Sequence, residues 1–356
     1  MKKILLSLSM IAVVAVVGVG ATGAFFSDTE TSTNNTFTAG AIDLKVDSTS
    51  HYNGMICTAG SPTEGNPSGY VWQSETPNTP VPVDHYPQPG MPCDGTWTET
   101  DLGPQHKFFN LDDIKPGDNG EDTISLHVYG NDAWGRFVIN GVTDIDGTCT
   151  EPESEVGAAE PECATPSNTP AVTPGELAES ITFYGWLDQG REPGFQNIGA
   201  NGVQIDGNGE EGGNPLVDPW EGDNIQQCDN ANGQPTIIEN EIDLDSCFEP
   251  TVITPGTVDE NPSVDQTLAD ETHNIWPALA AVYAAYCPGD NAQGANEYGL
   301  CQGIAADGRL VGSTTYYFGL AWSVPTTVGN EAQTDSLNAN LVFQAAQQRN
   351  NPSQTF

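Results

Sequence analysis

Tyr316, Phe318, Leu320, Trp322 and Val324 fall at every second position, and the spacing recurs at Leu337, Ala339, Leu341, Phe343 and Ala345. A period of two sends alternate side chains to opposite faces, so each run predicts a half-buried strand. The stretch Pro325 to Asn330 between them reads as a turn. Ile124, Leu126 and Val128 give a third strand, entered through the turn Lys115-Pro116-Gly117-Asp118. Trp134, Phe137 and Ile139, beyond Asn131-Asp132, predict its hairpin partner. Ile42, Leu44 and Val46 give the first strand. The expectation is a mainly β, antiparallel sandwich whose first and last strands come together.

The alternation breaks in three places. Ile275, Leu279, Val282 and Tyr286 lie at helical spacing, with Thr272 as a cap and Pro277 early in the helix, which predicts one short helix near 272–286. Residues 49–100, rich in Gly, Pro, Ser and Thr, read as a long loop or irregular hairpin closed by Cys57 and Cys93. Residues 143–265 are acidic and rich in Gly, Asn and Pro, with Ile181, Phe183, Tyr184, Trp186 and Leu187 as the main apolar cluster. They open a loop-rich insertion over 143–310 that depends on disulfides rather than on a core of its own.

The N-terminus has a different pattern. Lys2 and Lys3 precede an apolar run from Ile4 to Val19 and then the small residues Gly20 to Ala24. This is the order of a signal peptide, with cleavage after Gly23, Ala21 at −3, and Ala24 or Phe25 as the mature start. A retained anchor is the alternative, but the run of about 16 residues falls short of the roughly 20 that a span needs. Export to the extracellular space or cell surface follows, with no stable membrane insertion after processing. The eight cysteines then read as a disulfide framework. Of the 105 connectivities that eight cysteines allow, pairing of sequence neighbours is favoured: Cys57–Cys93, Cys149–Cys163, Cys228–Cys247 and Cys287–Cys301. The chain divides into a signal peptide (1–23), an N-terminal segment with the first strand (24–48), the first part of the sandwich (49–142), the insertion (143–310) and the C-terminal strands with a polar tail (311–356).

Charge narrows the function. The chain carries 49 acidic against 9 basic residues, a formal net charge of −40. That excludes nucleic acid as a partner and disfavours anionic lipid. It suits mutual repulsion between secreted molecules, or calcium binding through carboxylates. Asp206, Asn208 and Glu210 form the best oxygen-ligand run, but Glu211 and Val217 stand where an EF-hand needs its turn glycine and its bidentate Glu. The five histidines, His51, His85, His106, His127 and His273, show no zinc-ligand spacing. No local nucleophile motif occurs. The chain therefore reads as a non-enzyme, with no cofactor beyond candidate Ca²⁺.

Ala24-Phe25-Phe26-Ser27-Asp28 and Asn35-Thr36-Phe37-Thr38-Ala39-Gly40-Ala41-Ile42-Asp43-Leu44 closely resemble the mature N-terminus of the TasA/camelysin family, and the Lys-Pro-Gly-Asp turn adds to the likeness. The resemblance implies processing by a SipW-type signal peptidase and a jelly-roll-like sandwich. It also implies a fibre or biofilm-matrix subunit whose N-terminal segment pairs with the next copy in a head-to-tail homopolymer, using Phe25, Phe26, Phe37, Ile42 and Leu44 as donor-strand residues. The alternatives are a monomeric surface-binding module and a camelysin-like secreted metallopeptidase.

Overall fold

The computed structural model describes residues 42–63, 65–76, 80–111, 113–147, 175–189, 249–258, 272–287 and 303–356, with isolated positions between them, among them 195, 222, 226, 228–229, 235–236 and 301. The elements run β1 (Ile42–Tyr52), β2 (Met55–Ala59), β3 (Tyr70–Ser74), β4 (Trp97–Thr100), β5 (Asn119–Gly130), β6 (Ala133–Ile145), α1 (Leu177–Ser180), β7 (Thr182–Leu187), β8 (Cys228–Asp229), β9 (Pro235–Thr236), β10 (Thr251–Gly256), β11 (Thr272–Asn274), α2 (Trp276–Tyr286), β12 (Thr314–Ser323) and β13 (Ser336–Gln347). An eight-stranded antiparallel sheet has the order β10-β7-β12-β5-β1-β2-β3, with β4 also on β1. A three-stranded sheet, β11-β6-β13, faces it, and β8 and β9 form a small ribbon.

The alternation read from the sequence turns into two inner faces. Ile124, Leu126 and Val128 of β5 and Tyr316, Phe318 and Leu320 of β12 are buried in one core with Phe137 and Ile139 of β6. Phe137 joins the sheets: its ring lies 5.0 Å from Phe318 and 4.8 Å from Phe343, edge to face in both cases. Such pairs add to the gain from area burial alone. A second cluster gathers Tyr52, Met55, Trp72, Trp322 and the Cys57–Cys93 disulfide.

The antiparallel, mainly β expectation holds, with the strands divided unevenly between the sheets. Other expectations need correction. β6 is not the hairpin partner of β5. The chain turns a corner at Gly130 (φ 85°) and crosses to the other sheet, and β5 pairs instead with β1 and β12. The first and last strands lie in different sheets, and they come together across the sandwich rather than by hydrogen bonding. Residues 49–100 supply three short strands to the large sheet. Within 143–310, the described residues include a strand of the main core: β7 is hydrogen-bonded between β10 and β12 and buries Trp186 and Leu187.

The helix starts later than expected. Thr272 belongs to β11 rather than a cap, Ile275 is the N-cap, and Pro277 takes the opening turn where its missing N–H costs nothing. A second short helix, α1, went unread. The polar tail is not free either: Trp134 Nε1 donates to the Asn351 carbonyl at 2.8 Å, and Phe356 stacks on Trp276 and over the Arg136 guanidinium.

β6 carries one local device. Gly141 (φ 61°) and Val142 stand opposite a single residue of β13, a bulge that switches the buried positions of β6 from Phe137 and Ile139 to Val142.

Candidate functional site: the first strand, an open edge and the histidines

Ile42 and Leu44 lie in β1, whose eleven residues pair with the chain's own β5 from Ile42↔Gly130 to Tyr52↔Gly120. They are residues of a core strand paired within the chain. Ala21, Gly23, Ala24, Phe25, Phe26 and Phe37 lie outside the described residues, as do Asp206, Asn208 and Glu210. Cys57–Cys93 and Cys287–Cys301 are bonded. Cys149, Cys163 and Cys247 fall outside the described residues, so the two middle pairs are not in view.

β13 is the long edge of the structure. Its partner among the described residues is β6 alone. The strand Ser-Leu-Asn-Ala-Asn-Leu-Val-Phe-Gln-Ala-Ala-Gln has no charged side chain, and Ser336, Asn338, Ala339 and Asn340 are exposed. Edges that must stay unpaired are normally defended by charge, proline or bulges. This one has no charge in a chain of net charge −40.

The Lys115-Pro116-Gly117-Asp118 turn is a structural clamp. Asp118 Oδ2 accepts from the Tyr52 hydroxyl at 2.7 Å and from the Lys115 N–H at 2.8 Å, while Oδ1 accepts from Asn53 Nδ2 at 2.9 Å. Gly117 (φ 94°) and Val324 close the turn onto β12 through N–H to carbonyl bonds of 2.8 Å. Burial, with Asp118 as acceptor, drives the Tyr52 hydroxyl far above the ordinary tyrosine range. The clamp ties the end of β1 to the starts of β2 and β5 and to the end of β12.

The histidines stay dispersed. His51 pairs with Glu75 at 2.8 Å, His85 meets the Pro87 carbonyl, and His106 accepts from the Gly103 N–H. His273 is buried in β11. Among the described residues no group of three or more His, Cys, Asp or Glu side chains is placed to hold a metal ion.

One arrangement escaped sequence reading. His127 on β5 stands between Asp47 on β1 (Nε2 to Oδ2, 2.6 Å) and Thr315 on β12 (Nδ1 to Oγ1, 3.0 Å), with the Tyr129 hydroxyl donating to Glu99 beside it. These residues are 80 and 188 positions from His127 in sequence, so only the strand register reveals the row. A hydroxyl, an imidazole and a carboxylate in line invite comparison with a nucleophile triad. β5 is hydrogen-bonded on both sides here, so its N–H groups are taken by the ladders and cannot stabilise an oxyanion. On a flat sheet face the row serves as cross-strand pairing.

The fold and these positions define an antiparallel, disulfide-bonded β protein with an uncharged edge strand. No helix among the described residues is long and apolar enough to cross a membrane. Residues 1–53 match the family model described as camelysin metallo-endopeptidase, a stretch that ends just after β1. The match is to a family of secreted and surface proteins. No curated protein matches the chain.

Proposed function

We propose that the chain is an exported structural subunit of an extracellular fibre or matrix, released by a SipW-type signal peptidase after Gly23 and assembled head to tail through residues 24–41. The observation that carries this reading is β13, a twelve-residue edge strand with no charge to repel a neighbouring strand. Backbone hydrogen bonds along such an edge supply affinity, and side-chain pockets supply specificity. The family match over residues 1–53 adds support, because it covers the segment that would be donated. Electron microscopy of the mature protein tests the proposal. The full-length protein is expected to form filaments, more readily in high salt, which screens like charges. A form lacking Ala24 to Thr38 is expected to stay folded and monomeric. Fibres from the truncated form, or a full-length protein that stays monomeric in salt and Ca²⁺, overturn it in favour of a surface-binding module.

The description of the matched family favours a second reading, a secreted metallopeptidase. Chelator-sensitive cleavage of casein together with one equivalent of bound zinc would establish it.

A further inference from the structure

Asp122 sits in the middle of the eight-stranded sheet and points inward. Its neighbours on that face follow from the register: Ser50 and Leu320 directly opposite, Ser48 and Trp322 on the diagonals. Asp122 is completely buried, with Ser48 and Ser50 at 1% and 3% exposure and Trp322 at 2%. Both Asp122 oxygens lack a well-formed hydrogen bond, as do Ser48 Oγ and Trp322 Nε1. The Ser50 side chain interacts with the carboxyl and favours its charged form, but the cost of burial outweighs that. Gly95 closes over Ser50 from the segment that Cys93 anchors, and a Cβ there would lie 2.7 Å from Ser50 Cβ. Asp122 has no contact with solvent, and no cation among the described residues bears on it.

We propose that Asp122 is built into the sheet as an uncharged carboxylic acid, and that its ionisation is what loosens the seam between β1, β5 and β12 as the medium becomes alkaline. An isolated carboxylate in such a site would lose its hydration with no counter-charge to replace it, whereas the neutral acid needs only hydrogen-bond partners. The hydroxyls of Ser48 and Ser50 and the indole N–H of Trp322 can serve one. Ser48, Ser50, Leu320 and Trp322, which face Asp122 from β1 and β12, carry no charge, and the one titratable group among their neighbours, Tyr52 at the end of the face, is a neutral phenol. The one charge acting on it is Glu121, on the outer face of the same strand, which opposes ionisation further. Desolvation accordingly holds the carboxyl well above the usual carboxylate range.

The sign of the linkage is definite. A group that binds its proton more tightly when folded contributes stability in acid, lost as pH rises from the ordinary aspartate range toward its folded value. Other carboxylates add slopes of their own, so the readout is a difference. Urea unfolding of wild type and Asp122→Asn across pH 4 to 8 is expected to give similar midpoints in acid and an increasing advantage for the amide as pH rises. A constant difference at all pH values overturns the proposal. Should Asp122→Asn fail to fold, ¹³C-aspartate labelling of the wild type decides. One carboxyl carbon with the shift of a protonated acid at neutral pH is expected, and titration of every aspartate in the ordinary range refutes it.

Discussion

β5 and β13 are both twelve residues long, yet β5 is paired on both sides and β13, among the described residues, on one. The distribution of charge is the reverse of what protects an edge. β5, in the middle of its sheet, carries Glu121, Asp122 and His127, while β13 carries no charge. A buried strand tolerates ionisable groups only when they are satisfied or neutral, so those of β5 are held by neighbours on both sides or kept un-ionised. An open strand without charge has no such constraint and no such defence. The contrast separates a strand closed on both sides from one whose second side has no strand partner among the described residues.

The comparison breaks most severely where the two sheets meet. Phe137→Ala removes the ring that touches both Phe318 and Phe343. It should cost about 3–5 kcal/mol in denaturant unfolding, and a loss below about 1 kcal/mol would show that the sheets do not depend on this contact. Next comes the clamp beside β5. Asp118→Ala leaves the Tyr52 hydroxyl without its acceptor and removes one of the two acceptors of Asn53 Nδ2, the Tyr86 carbonyl remaining. A loss of about 1.5–3 kcal/mol is expected, measured the same way. The smallest effect on stability, and the sharpest on function, belongs to the edge. Ala339→Lys puts a charge on an exposed position of β13 and should change stability by less than about 0.5 kcal/mol while suppressing filament growth. Undiminished growth by that variant would exclude β13 as the acceptor.

The strands themselves were legible, but only β12 buries its alternating run; in β13 the same spacing leaves Ala339 exposed and buries Ala346. Tyr316, Phe318, Leu320 and Trp322 are all buried, as period two requires. Pairing was not legible, because a one-dimensional pattern says which face is inward and nothing about which sheet. β6 looked like the partner of β5 for that reason, and the Gly141 bulge hid its second buried phase. The apolar cluster around Trp186 and Leu187 is visible in the sequence, but the acidic residues around it hide that β7 joins the main core, where both side chains are buried. Of the candidate sites, the Asp118 clamp was visible as a turn but not as a set of hydrogen bonds. The row of Asp47, His127 and Thr315 had no local signal at all, since three strands distant in sequence build it.

That distance has a kinetic side. Arg136 and Gln344, hydrogen-bonded across β6 and β13, are 208 residues apart, and His127 and Thr315 are 188 apart. Contacts so remote in sequence make for slow folding, because loop closure must be paid before the contacts are gained. During synthesis β1, β5 and β6 appear long before β12 and β13 exist, so neither sheet is complete until nearly the whole chain has emerged. The β1–β5 pair is the part that can form early. It amounts to a waiting template whose unpaired side must be kept from other chains until its own last strands arrive.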